Sequence, residues 1–222
     1  MSFDLPPVTR YLLIANVLVF LLQQFFPAPL LIHFALWPWG ASPYTNVGFQ
    51  VWQLVTGTFM HGSIMHIVVN MFVLWMFGSP IERLLGQRAF LVLYFVSLLA
   101  SSLCHELMVY FFHLGYYPTI GASGAIFGVL LAFGMLYPHE RIMLIIPPIP
   151  MPAWVFVTGF AVLELVLGVM STRGGMGHPI GAGGPVVNIA YFAHLGGMLG
   201  GFVLIQYWRG KLPIKPKRRL LR

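Results

Sequence analysis

Gly121-Ala122-Ser123-Gly124-Ala125-Ile126-Phe127-Gly128 opens an apolar run that ends near Tyr137. It places a hydroxyl among small residues at the start of a helix. Serine and glycine are common where transmembrane helices pack closely, so taken alone the stretch reads as a packing face. It acquires chemistry only if a base, a set of oxyanion donors and a source of water can reach Ser123.

The surrounding composition decides that this run lies in a membrane. The chain has 222 residues, of which 59% are hydrophobic and 8% charged, and its mean hydropathy is +0.85. So little charge could not cover a soluble domain of this size, which leaves a polytopic membrane protein with no room for a sizeable soluble domain. The net charge of +7 does not indicate nucleic acid, because seven of the twelve Lys and Arg residues fall between Arg209 and Arg222. A basic tail after a last apolar run reads as a cytoplasmic anchor. Cys104 is the single cysteine, so neither an intramolecular disulfide nor a cysteine metal cluster can form. Met1 to Arg10 does not resemble a signal or transit peptide.

Apolar runs at about 11–26, 64–81, 89–112, 121–137, 152–171 and 187–208 predict six spans. With both termini inside, eleven Lys or Arg residues are cytoplasmic and only Arg173 is external, a clear positive-inside asymmetry. The first external loop, about 27–63, carries Trp37, Trp39 and Trp52 with several prolines and almost no charge. That composition predicts a segment lying in the membrane interface. The last external loop, Thr172 to Pro185, is glycine-rich and predicts a mobile cap.

Polar residues inside the spans are the functional candidates, since each is unfavourable in lipid unless paired or facing a cavity. Depth sorts them. At about 1.5 Å per residue, Ser123 lies roughly 21 Å above Tyr137, His194 roughly 20 Å above Tyr207, and Asn70 roughly 20 Å above Arg83. His66, one turn earlier on the Asn70 face, is roughly 26 Å up. Three separate helices therefore place these groups at a similar level, in the external half of the bilayer. Gly197 and Gly201 share a face with His194, and Gly124 and Gly128 sit beside Ser123, so the two helices can approach closely enough for a Ser–His hydrogen bond.

Serine needs a base, and His194 is the imidazole placed to serve from a facing helix. No Asp or Glu lies in the sixth span or near Ser123 in sequence, which predicts a dyad and not a triad. Oxyanion donors would be the Ser123 backbone N–H in the first helical turn, the Asn70 amide and the His66 imidazole. Plainer readings stand beside these: His66 as a capped interfacial residue, Asn70 as an interhelical staple, Phe127 as core packing and not a support for the His194 ring. His61 either supports the first loop and its hydration or simply sits at the interface. His105 reads as interfacial, and Glu106 and Glu164 have no evident partner. Glu82 reads as a structural acid that contacts loop or helix-end donors.

Gly121-Ala122-Ser123-Gly124, Ala193-His194-Leu195-Gly196-Gly197, and His61 with His66-Ile67-Val68-Val69-Asn70 together resemble the rhomboid family of intramembrane serine proteases. The resemblance covers nearly the whole chain. It implies Ser123 as nucleophile, His194 as base, and His66, Asn70 and the Ser123 amide as the oxyanion hole. It also implies an interfacial first loop and substrates that are single-span membrane proteins. One departure is visible: the family's Trp-Arg pair in the first loop reads Trp52-Gln53 here, which alters the loop contacts that the arginine makes.

The expectation is therefore an all-α membrane protein, a six-transmembrane-helix bundle with an interfacial first loop. A cytoplasmic N-terminus at 1–10 and a basic cytoplasmic tail at 209–222 flank a membrane domain at 11–208. Its expected activity is serine endopeptidase cleavage of single-pass transmembrane proteins within the lipid bilayer, with no metal, cofactor or nucleic acid. Supporting residues are His61, Gly121, Gly124, Phe127 and Gly197. The expected location is a prokaryotic inner (plasma) membrane. The alternatives are a catalytically inactive binder of membrane helices and a transporter.

Overall fold

The computed structural model describes residues 5–40, 47–112, 116–143, 148–173 and 190–216. The glycine-rich loop expected to act as a cap lies, from residue 174 onward, outside the described residues. The described residues are mostly helical. Helix α1 (Pro7–Phe25) is followed by the short α2 (Pro27–Phe34) and α3 (Gln53–Thr56) of the first loop. Helix α4 (Ile64–Val73) runs through one π-helical turn, Leu74–Gly78, into α5 (Ser79–Leu85). Pro80 lacks the N–H that would continue the i→i−4 ladder, which accounts for the wider turn just before it. Helices α6 (Gln87–Phe112), α7 (Ser123–Leu136), α8 (Ala153–Arg173) and α9 (Ala190–Trp208) complete the bundle. A small antiparallel pair, β1 (Arg141–Met143) and β2 (Pro150–Pro152), connects α7 to α8.

Among the described residues, four helical segments are long and apolar enough to cross a membrane: Pro7–Phe25, Ile64–Leu85, Gln87–Phe112 and Ala153–Met170. Of the six spans expected, four are found on this measure, and the runs at 121–137 and 187–208 fold as α7 and α9. Helix α7 has only 14 residues, about 21 Å at 1.5 Å per residue against a hydrocarbon layer of about 30 Å. The 19-residue α9 is diluted by His194, Gln206 and its glycines. Helix α7 lies within the bundle, whereas α9 turns its glycine face inward and exposes Leu199, Phe202 and Val203. Burial surrounds α7, from Gly124 and Ala125 through Val129 to Gly134. In α1, by contrast, only Thr9, Leu12 and Asn16 are buried, and residues such as Leu18 and Leu21 are exposed. An apolar exterior of this kind suits lipid.

Small residues set the central packing. A Cβ at Gly197 would collide with the Gly124 backbone carbonyl, and one at Gly201 would lie 2.7 Å from the Gly128 oxygen. The neighbouring glycines turn to α6: a Cβ at Gly200 would lie 2.6 Å from the Ala100 Cβ, and Gly196 rests on Cys104. Gly124 and Gly128 in turn receive the side chains of Ser101 and Ser97 from α6. Helices α6, α7 and α9 thus share one seam of glycine, alanine and serine, which allows backbones to approach closely where no larger side chain fits.

Two buried carboxylates hold the ends of this frame. Glu82 in α5 accepts from Val8 N–H at 2.9 Å, Thr9 N–H at 2.7 Å and the Thr9 hydroxyl at 2.8 Å, so it caps the open first turn of α1 from a distant helix. Glu106 in α6, fully buried, accepts the Trp39 N–H at 2.8 Å and secures the first loop. Glu82 is the structural acid expected; Glu106 gains a partner that the sequence did not suggest.

The first loop is tied down by backbone and side-chain bonds. Leu36 and Thr119 exchange N–H···O bonds of 3.0 and 2.8 Å, and Gly121 N–H donates to Gly57 O at 3.0 Å. Gln53, 1% exposed, accepts from Trp37 N–H at 3.3 Å and Gln50 N–H at 3.0 Å and donates to His33 O at 3.3 Å. The position where the family carries arginine therefore has its own set of loop contacts, built on an acceptor. The segment leading into Ser123 is held by the same loop.

Candidate active site

Ser123 is the first residue of α7, preceded by Ala122 with no side-chain cap, so the leading N–H groups of the helix face the site. Its Oγ lies 2.8 Å from His194 Nε2. The glycine seam explains why residues 71 positions apart come within hydrogen-bond reach: Gly197, one turn after His194, sits against Gly124, the residue after Ser123. Phe127, one turn beyond Ser123, stacks on the His194 ring with centroids 4.2 Å apart and planes 9° apart. Phe160 of α8 backs Phe127 at 6.2 Å.

The remaining ring nitrogen has a partner that the sequence reading excluded. His194 Nδ1 lies 2.9 Å from Glu164 Oε2. The expectation that no carboxylate approaches the Ser–His pair is corrected here. Glu164 sits in the fifth predicted span, far from Ser123 in sequence, but it lies eleven residues into α8, about 17 Å along at 1.5 Å per residue. That is close to the depth assigned to Ser123 and His194, and the same measurement applied to this helix finds it.

His66 and Asn70 come from α4. Ser63 caps this helix by accepting the His66 N–H at 3.1 Å. Gly62 N–H donates to His66 Nδ1 over a long 3.4 Å, which leaves Nε2 as the ring's N–H donor. That edge faces Gly121: a Cβ there would lie 2.8 Å from both His66 Cε1 and Nε2 and 3.9 Å from Ser123 Oγ. Gly121 also has φ +127°, a backbone conformation suited to glycine. The bare glycine thus leaves open a small space bordered by the His66 edge and the Ser123 hydroxyl. Asn70, one turn along α4, is buried with its Nδ2 unpaired, an amide with donor capacity to spare. His61 packs edge to face on His66 with ring centroids 5.0 Å apart. It is 2% exposed, and its backbone N–H and C=O are both bound by Gln23 of α1.

Behind Ser123 lies a cavity of about 40 Å³, lined by Ser123, His194, Ser101, Ser102, His105 and Thr119 among others. A volume of that order in polar surroundings can hold water. His105, expected at the interface, is instead 1% exposed and hydrogen-bonds Thr119 Oγ1 at 2.8 Å through Nε2. It is covered by the loop that carries Thr119, a contact invisible along the sequence. Among the described residues, no group of three or more His, Cys, Asp or Glu side chains is placed to hold a metal ion.

The rhomboid domain model matches residues 48–210. The chain belongs to the rhomboid family. Mitochondrial rhomboid protein 1 of Saccharomyces cerevisiae is 33% identical over 170 residues, covering 76% of this chain and 45% of that one. The mitochondrial presenilin-associated rhomboid-like protein of Homo sapiens is 30% identical over 211 residues, covering 90% and 49%. Rhomboid protease GluP of Bacillus subtilis is 30% identical over 151 residues, covering 68% and 25%. The chain spans about half or less of the length of these relatives. The expected prokaryotic plasma membrane is overturned by these matches: the yeast and human proteins are mitochondrial and point to a mitochondrial membrane instead.

Proposed function

We propose that this rhomboid protein is a serine endopeptidase that cleaves single-span membrane proteins within the bilayer. The observation that supports this most directly is the 2.8 Å approach of Ser123 Oγ to His194 Nε2, a nucleophile and base within hydrogen-bond reach. In this reading Ser123 attacks the scissile carbonyl while His194 takes its proton. His194 returns the proton to the leaving amine, and water hydrolyses the acyl group on Ser123. The negative oxygen is received in the space above Gly121 by the His66 Nε2–H, the Asn70 amide and the Ser123 backbone N–H. The cavity beside Ser101 and Thr119 stores the hydrolytic water.

The layout that goes with this reading is a six-helix membrane domain over 11–208, with α7 and α9 as its inner pair. The first loop lies at the membrane surface, and the segments 1–10 and 209–222 flank the domain. The cavity that Ser123 lines together with Leu36 and Thr119 supports water entry from the side of that bonded strip.

The test uses purified full-length protein in detergent with a single-span model substrate and a fluorophosphonate probe. Cleavage and labelling are expected in the wild type and absent from Ser123→Ala and His194→Ala. Labelling that persists in Ser123→Ala would overturn the assignment. A wild type that folds but neither cuts nor labels would leave a binder of membrane helices in its place.

A further inference from the structure

We infer that Glu164 is the positioning residue of the site, making the pair Ser123–His194 a triad completed from α8. This deepens the protease reading and rests on it. Both nitrogens of His194 are engaged at once, Nε2 by Ser123 Oγ at 2.8 Å and Nδ1 by Glu164 Oε2 at 2.9 Å. With Phe127 stacked on the ring face, the imidazole is held at two edges and one face.

The tautomer follows from the same contacts. A neutral histidine that accepts the serine proton at Nε2 must carry its own hydrogen on Nδ1. A carboxylate can only accept there, so Glu164 selects the tautomer that leaves Nε2 free to act as base. When the proton moves from Ser123 Oγ to Nε2, the ring becomes an imidazolium with hydrogens on both nitrogens. The Glu164 carboxylate offsets that charge from 2.9 Å in a place with little water to do so. The proton then passes from Nε2 to the leaving amine, and the ring returns to its starting tautomer. Glu164 neither gives nor takes a proton.

The surroundings of Glu164 make an incidental role a poor account of it. Its neighbours Leu163 and Leu165 are 48% and 51% exposed, whereas Glu164 is 7% exposed and turned into the bundle. A carboxylate in the middle of an apolar helix is retained only where a specific partner compensates its burial. Here that partner is the candidate base.

A simple helix–helix tie would use the same contact, so the test must separate rate from folding. Glu164→Gln, Glu164→Leu and Glu164→Asp are compared with wild type in the full chain, with a fluorophosphonate as probe. The labelled fraction counts folded sites, and the labelling rate constant reports how nucleophilic each one is. Rate constants are expected to fall about tenfold in Glu164→Gln and about 100-fold in Glu164→Leu, with partial recovery in Glu164→Asp. Substrate turnover should show the loss in kcat with KM little changed. If the variants label at the wild-type rate constant and lose only labelled fraction or thermal stability, Glu164 is a tie and the inference fails. If the wild type itself does not label, the serine-protease reading fails first, and the two failures are distinguishable.

Discussion

Gly197 of α9 rests directly on the backbone carbonyl of Gly124 in α7, leaving no room for a Cβ. The contact is one turn from His194 on one helix and one residue from Ser123 on the other. A methyl group at 197 must push the helix axes apart at the point where the hydroxyl and the imidazole meet.

Gly197→Ala should therefore lose activity out of proportion to its loss of fold. Overpacking of this kind costs about 1–3 kcal/mol, whereas a displacement of about 1 Å in a reacting pair can lower the rate about 100-fold. Fluorophosphonate labelling kinetics beside thermal denaturation will separate the two. A Gly197→Ala protein that labels as fast as wild type would remove the seam from the account of catalysis.

Phe127 touches His194, the proposed base, by its ring face. An aromatic pair adds about 0.5–1.5 kcal/mol beyond its buried area, so Phe127→Leu should lower kcat about two- to tenfold. Phe127→Tyr should stay near wild type. A leucine variant with unchanged kcat would reduce the residue to core filler.

Gln53 offers a substitution whose family logic and local chemistry disagree. Its Oε1 accepts two backbone N–H groups, from Trp37 and Gln50, and an arginine has no acceptor to offer them. Gln53→Arg, although it restores the residue the family uses, should destabilise the protein by about 1–3 kcal/mol. Melting temperatures in detergent provide the check, and a stabilised Gln53→Arg protein would contradict the assigned bonds.

Burial in the turn before α4 pushes His61 down to about 4 from an ordinary value of 6.5, and the nearby His66 ring adds to the effect. The folded protein keeps the ring neutral while the unfolded chain takes up a proton below 6.5. The stability held in the neutral ring is thus complete above pH 6.5 and is lost as pH falls from 6.5 toward 4. His61→Leu should flatten that part of the stability profile, measured as melting temperature against pH. Parallel profiles for the variant and the wild type would assign the acid sensitivity elsewhere.

What the sequence could carry and what it could not divide along a physical line. Rise per residue is a property of any helix, so depth brought Ser123, His194, His66 and Asn70 to one level without knowledge of the packing. The glycine faces of α7 and α9 were legible for the same reason. Glu164 was missed because a carboxylate was sought beside Ser123 and in the sixth span, although its depth in the fifth agrees. The burial of His105 depends on Thr119 folding over it, and the partner of Glu106 comes from Trp39, 67 positions away. Contacts between loops and helices have no periodicity to betray them. The shortness of α7, 14 residues, was not legible either, because hydropathy does not distinguish lipid from protein as the apolar surroundings.

The bonded strip joining Leu36 to Thr119 also bears on where a self-sufficient unit of this protein can begin. The family match starts at residue 48, after Leu36 and Trp39. A piece cut at that boundary would strip both backbone bonds from Thr119, the amide from Glu106 and the α1 donors from Glu82. Of the backbone bonds described between the first loop and the approach to Ser123, the one from Gly121 N–H to Gly57 O would remain. By this reckoning the autonomous folding unit is larger than the region that identifies the family and takes in at least α1 and the first loop.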